Sequence, residues 1–131
     1  MKRINNVYVI DDDKIYHFLL SSLMKREGIE VQSSFFGNGQ DAIDFIKKNN
    51  NKTEVLPDLI LLDVNMPIMN GWQFLEEFMK IEAGLAKGPV IYMISSSNNE
   101  VDIKMAKEFD GIVKGYFLKP ICKEDLVRIF S

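Results

Sequence analysis

The feature that most constrains this chain is a regular alternation of short apolar runs with longer amphipathic stretches. The first run, Val7-Tyr8-Val9-Ile10, is β-branched and aromatic and ends at the acids Asp11-Asp12-Asp13. So short an apolar run predicts a buried strand. A helix is predicted from about Lys14 to Glu27, with Tyr16, Leu19, Leu20 and Leu23 on one stripe. Gly28 follows where a left-handed cap is usual. A second strand is expected within Ile29 to Phe36. Gly37-Asn38-Gly39 then turns the chain, with Asn38 as cap. The second helix, about Gln40 to Lys48, turns Ala42, Phe45 and Ile46 inward. After the polar loop Asn49-Asn50-Asn51-Lys52-Thr53, Pro57-Asp58 opens the most apolar run, Leu59 to Leu62, which ends at Asp63.

The second half repeats the pattern. Asn70-Gly71 leads into a helix carrying Phe74, Leu75, Phe78 and Ile81. Gly88-Pro89 precedes a fourth strand, Val90 to Ile94, ending in Ser95-Ser96-Ser97. A fourth helix is expected from about Asn99 to Phe109, with Val101, Met105, Ala106 and Phe109 inward. Gly115 is expected to start a short fifth strand, Tyr116-Phe117-Leu118, which ends at Lys119-Pro120. A last helix should carry Cys122, Leu126, Ile129 and Phe130 on one stripe. Five strands alternating with five helices predict right-handed crossovers and a parallel sheet covered on both faces. The strands read as continuous apolar runs because both of their faces are buried.

Such a sheet gathers its strand ends along one edge, where ligands bind. That edge should hold Asp11, Asp12 and Asp13 from the first strand, Asp63 from the third, Ser95 from the fourth and Lys119 from the fifth. Three carboxylates in one pocket repel one another unless positive charge sits among them. Lys119 supplies one charge, and the remainder points to a hard divalent cation. Magnesium suits a few carboxylates with waters and a phosphate oxygen. The set then reads as a phosphoryl-transfer site, in which Lys119 and magnesium neutralise the transferring oxygens, Ser95 donates a hydrogen bond and one carboxylate attacks. Asp13, directly before a helix, reads as a cap rather than a ligand.

Composition bounds the alternatives. The 131 residues suit one domain, 1–131, with a formal net charge of -3. Mild acidity argues against a nucleic-acid surface, where a basic patch is expected. No apolar run approaches the ~20 residues of a membrane helix. The basic start, Met1-Lys2-Arg3, precedes an apolar stretch too short for a signal peptide. One cysteine, Cys122, excludes an internal disulfide and fits a cytoplasmic protein. Its place on an apolar stripe suggests a small core residue. His17 reads as a surface or boundary residue, and Trp72 as a packing residue.

Val9 to Asp13, Leu61 to Pro67 through Asn70-Gly71, Ile94-Ser95-Ser96 and Lys119-Pro120 together resemble the receiver domain of bacterial two-component response regulators. The resemblance runs from about Asn6 to Phe130. It implies a doubly wound, flavodoxin-like (CheY-like) α/β fold. It implies that Asp63 accepts a phosphoryl group from a phosphohistidine on a sensor histidine kinase or phosphotransfer protein. Asp12 would bind magnesium directly and Asp11 mostly through water, with Asp63 and the Asn65 carbonyl completing the set. Ser95 and Lys119 would contact the phosphoryl group, and the Lys119-Pro120 bond would be cis. Tyr116 matches a switch aromatic that moves inward as Ser95 is drawn to the phosphoryl oxygens. The fourth helix, fifth strand and fifth helix would then form the face for a downstream protein. Asn65 and Ser97 would tune how quickly the phosphoryl group is lost. The connections Glu82 to Gly88 and Asn49 to Leu56 are long for the family. The chain stops just after the fifth helix; if it is complete, output is expected through a protein contact, and if it is a piece of a larger regulator or hybrid kinase, the output lies elsewhere. Such a domain phosphorylates and dephosphorylates itself rather than acting as a conventional enzyme.

Two other functions share part of this pattern. Haloacid-dehalogenase-type phosphohydrolases also place Asp-x-Asp after a strand, but a further acidic motif should follow the lysine. Only Glu124 and Asp125, on a predicted helix, come after Lys119. The other is a receiver-like interaction module that never needs phosphate, although such modules generally lose an acid or the lysine, and this chain keeps them.

Overall fold

A computed structural model describes residues 4–96, 100–109 and 111–130. In chain order the elements are β1 (Asn6–Ile10), α1 (Lys14–Arg26), β2 (Gln32–Phe36), α2 (Gly39–Lys48), β3 (Leu59–Asp63) and α3 (Gly71–Ile81). A 3-10 turn (Glu82–Gly84) follows, then β4 (Val90–Ser95), α4 (Glu100–Glu108), β5 (Val113–Leu118) and α5 (Lys123–Phe130). All five strands are parallel, in the order β2-β1-β3-β4-β5. The order reverses between β1 and β3, which makes their carboxyl ends the crevice of the sheet.

Strand alternation divides the core into two layers. Tyr8, Ile10, Ile60, Leu62, Ile91 and Met93 point to one face, where Ala42, Ile43, Ile46, Phe74, Leu75 and Phe78 of α2 and α3 cover them. Val7, Val9, Leu59, Leu61, Tyr92 and Ile94 point to the other, under Tyr16, Leu20 and Met24 of α1 and Leu126 and Ile129 of α5. Every residue of β3 is buried, as expected of the central strand.

Local signals set the helix ends. Asp13 caps α1, its Oδ1 accepting from the Ile15 and Tyr16 amides at 3.0 and 3.2 Å. At the other end, Gly28 takes φ 74°, with Gly28 donating to Lys25 and Ile29 to Met24, the paired bonds of a Schellman cap. Asn38 caps α2, and Asn70 forms a reciprocal capping box with Gln73 on α3.

Several expectations are corrected. Leu19 is 58% exposed, because the buried stripe of α1 is Tyr16, Leu20 and Met24, one residue every four. Phe45 stays partly exposed, its ring leaning on Tyr8 and Phe36 rather than entering the core. Strand β5 starts at Val113, not Gly115. The β4–β5 register slips between Ile91 and Tyr92, so Gly115 sits mid-strand opposite Tyr92, where a Cβ would lie 3.0 Å from the ring. Cys122 is exposed at the entry to α5, its amide and Sγ both bonded to Asp125, and is not a core residue. Trp72 is buried and stacks on Phe109, and His17 is half-buried against Phe35. The Val101 side chain and the Asn99 start of the fourth helix lie outside the described residues, as do Ser97 and the basic start Met1-Lys2-Arg3.

The two long connections brace each other at the amino edge of the sheet. Ala86 donates to the Asn50 carbonyl at 2.8 Å. Asp58, buried at the start of β3, accepts from the Asn5 and Asn6 amides at 2.9 Å and pairs with Lys87 at 2.8 Å. Burial disfavours the Asp58 carboxylate, but Lys87 and the two amides outweigh it and lower its pKa.

Candidate functional site

At the opposite edge, the strand ends converge. Asp11 is anchored by its backbone, donating to the Phe36 carbonyl at 2.9 Å, while its Oδ1 accepts from the Asp13 amide at 2.9 Å. Asp63 is the last residue of β3, paired in register with Ile94. Ser95 ends β4, and its carbonyl accepts from the Lys119 amide at 2.8 Å, fixing the start of the β5–α5 loop. The Lys119-Pro120 bond is cis.

Oxygens of Asp11, Asp12 and Asp63 all lie within 4.8 Å of one another; Asp11 and Asp63 are buried and Asp12 is exposed. Lys119 Nζ lies 2.6 Å from Asp11 Oδ2 and 3.5 Å from Asp63 Oδ1. One ammonium therefore pairs with two carboxylates of this cluster of three. The imbalance falls on Asp63, whose carboxyl is pushed up to about 7 by burial and by the Asp11 charge, against the pull of Lys119. Burial opposes the Lys119 ammonium, but Asp11 and Asp63 outweigh it and raise its pKa. Such a hard, oxygen-only and under-neutralised donor set fits a small divalent cation reached from the exposed Asp12 side.

Ser95 is fully buried, and its side chain hydrogen-bonds Tyr116, which is half-buried on β5. Tyr116 therefore already lies against Ser95, and what can change there includes the hydrogen-bond partner as well as the ring position. Asn65 is exposed two residues past Asp63. Asp11, Asp12, Asp63, Ser95 and Lys119 thus lie together at one sheet edge with Asn65 and Tyr116 beside it, and Ser97 is outside the described residues.

Two further residues shape this edge through the backbone, Gly71 and Ile68. Gly71, at the start of α3, approaches the Asp63 backbone so closely that a Cβ would lie 2.5 Å from its carbonyl oxygen. Ile68 adopts φ 68°, and Met69 donates across it to the Pro67 carbonyl at 2.7 Å. That is a γ-turn with positive central φ, a strained form, occupied here by an exposed β-branched residue. Neither is foreshadowed by hydrophobic periodicity, since both arise from how closely the loop after β3 is folded back.

A family model described as the response regulator receiver domain matches residues 7–131. Over 122 residues the chain is 25% identical to the "Probable methanogenesis regulatory protein FilR2" of Methanothrix harundinacea, covering 93% of this chain and 76% of that protein. It is 30% identical over 128 residues to the two-component response regulator ORR26 of Oryza sativa subsp. japonica, covering 95% of this chain but only 19% of that protein. Among solved structures, a two component response regulator from Cytophaga hutchinsonii superposes with a TM-score of 0.85 at 26% identity, covering 98% of this chain and 96% of that one.

Proposed function

The chain belongs to the response regulator receiver domain family, and on that premise we propose that residues 1–131 act as one receiver unit that takes a phosphoryl group onto Asp63. The observation that carries this is the cluster of three carboxylates, two of them paired with the Lys119 ammonium, with Asp63 at the end of the central strand. The donor would be a phosphohistidine on a sensor kinase or phosphotransfer protein. A carboxylate oxygen of Asp63 attacks phosphorus as the bond to the imidazole nitrogen breaks, and the imidazole leaves. Lys119, held by Asp11, meets the charge gathering on the transferring oxygens. Asp11, Asp12, Asp63 and the Asn65 carbonyl would hold magnesium, which when bound supplies the positive charge this pocket lacks.

The phosphoryl group adds charge and strong acceptors beside Ser95. Its hydroxyl would then exchange Tyr116 for a phosphoryl oxygen, biasing the face made by α4, β5 and α5. Ile103, Ala106, Lys107, Val113, Lys114 and Tyr116 line a shallow groove there, which suits a downstream protein. Neither nucleic acid nor a membrane is a partner in this reading. No helix among the described residues is long and apolar enough to cross a membrane, and we place the protein in the cytoplasm.

The test is intact mass after incubation with magnesium and acetyl phosphate, beside an Asp63→Asn control. A gain of one phosphoryl group that the control lacks is expected. No gain, together with no spectral change on adding beryllium fluoride, would replace this reading with a phosphate-independent interaction module.

A further inference from the structure

Lys119 has a third neighbour besides Asp11 and Asp63. Its Nζ lies 4.4 Å from the centroid of the Tyr16 ring. Tyr16 belongs to the first turn of α1, which Asp13 caps through the Tyr16 amide itself, so the same aspartate that starts the helix fixes where this ring begins. The ring is buried in the core layer it shares with Leu20, Ile94, Phe117, Ile121 and Leu126. Burial in that layer restricts its movement away from the lysine. The phenolic oxygen is buried and has no hydrogen-bond partner among the described residues, so no network there fixes the residue through its hydroxyl.

A lysine side chain has four rotatable carbons and a point charge that any acceptor can capture. Asp11 and Asp63 pull on it from the carboxylate side. An aromatic face beneath it attracts the ammonium without taking up any of its protons as an ordinary acceptor would, because the attraction is to the ring quadrupole. The donors of Nζ remain available to the carboxylates and to an incoming oxygen. A saturated side chain at the same position would desolvate the ammonium and give nothing back.

We infer that Tyr16 is a positioning residue, whose ring face holds the Lys119 ammonium in place at Asp63 for phosphoryl transfer. The inference rests on the receiver reading given above. It acts through the lysine and does not require the Tyr16 hydroxyl. Shape and electrostatics can be separated at this position, because pentafluorophenylalanine keeps the size of the ring and reverses its quadrupole.

The experiment compares the unsubstituted protein, Tyr16→Phe, and the protein carrying pentafluorophenylalanine at position 16. Each is followed for its rate of phosphoryl gain from acetyl phosphate with magnesium and for the NMR shifts of the Lys119 ε-methylene. Thermal melts confirm that all three are folded. Tyr16→Phe should stay within about twofold of the unsubstituted rate and keep the upfield ring-current shift, while the fluorinated protein should slow by about fivefold or more and lose that shift. Equal rates for Phe and its fluorinated analogue would overturn the inference, leaving the ring as packing alone. A loss of rate already complete in Tyr16→Phe would overturn it too, by assigning the role to the hydroxyl. Absence of phosphoryl gain in the unsubstituted protein would strike at the receiver reading instead, and the ε-methylene shifts would still decide whether the ring holds the lysine.

Discussion

At the residue scale, Asp63 shows how a site can be built against its own stability. Its pKa is raised to about 7 by burial and by Asp11, so between the ordinary carboxylate range near 4 and pH 7 the folded protein without metal holds a proton there that the unfolded chain releases. That contribution is complete below the ordinary carboxylate range near 4 and is lost as pH rises through 7. Asp63→Asn should therefore stabilise the metal-free protein at pH 8 by on the order of 2 kcal/mol, as read by urea unfolding. Magnesium should raise the melting temperature of the unsubstituted protein clearly and that of the variant little. Ile68 stores strain of a different kind. Its positive φ belongs to glycine or asparagine by preference, and its side chain is 79% exposed, so little packing offsets the cost. Ile68→Gly should stabilise the fold by about 1 kcal/mol in the same assay; an unchanged or lower urea midpoint would show that the side chain makes a stabilising contact after all.

At the element scale, the site depends on how closely α3 can approach β3. The Gly71 amide donates to the Val64 carbonyl at 2.8 Å, and the absent Cβ is what admits Asp63 and Met93 against the first helical turn. Backbone on one side and core on the other leave no room to give way. Gly71→Ala should cost about 2–3 kcal/mol and slow phosphoryl gain on Asp63, whereas Ala at Gly28 should cost stability through its positive φ and leave the rate unchanged. Elements also explain the misread faces. Helical periodicity fits Leu19 and Met24 equally well beside Tyr16, Leu20 and Leu23, yet Leu23 and Met24 pack on the core and Leu19 does not. The choice between them is the rotation of α1 against the sheet, which leaves Ile15, Phe18 and Leu19 exposed beside the acidic edge.

At the scale of the whole molecule, the two sheet edges have opposite electrostatics. The carboxyl edge gathers three acids with one lysine, while the amino edge satisfies its buried acid fully. Asp58 ties the start of β1, the start of β3 and the connection before β4 into one cluster. Its folded pKa is lowered, so its stabilisation is present above the ordinary carboxylate range and is lost as pH falls through the lowered folded value. Removing one member of such a pair strands the rest. Asp58→Ala should cost about 3 kcal/mol and leave the phosphoryl-gain rate of the folded protein near normal, because the cluster sits at the far edge from Asp63. A large fall in that rate would show that the two edges are coupled.

The sequence by itself determined the element order, the parallel sheet and the identity of the acids, serine and lysine at its edge. Those follow from local periodicity, caps and strand ends, which need no knowledge of neighbours. Only the tertiary structure decided the rest. It set which side of α1 is buried, the slipped β4–β5 register that moves Gly115 into mid-strand, the exposure of Cys122 and the pairing of Asp58 with Lys87. It also set the Tyr16 ring beneath Lys119 and the closeness of Gly71 to Asp63. Each of these depends on distances between residues far apart in the chain, and such distances are fixed by packing rather than by local pattern.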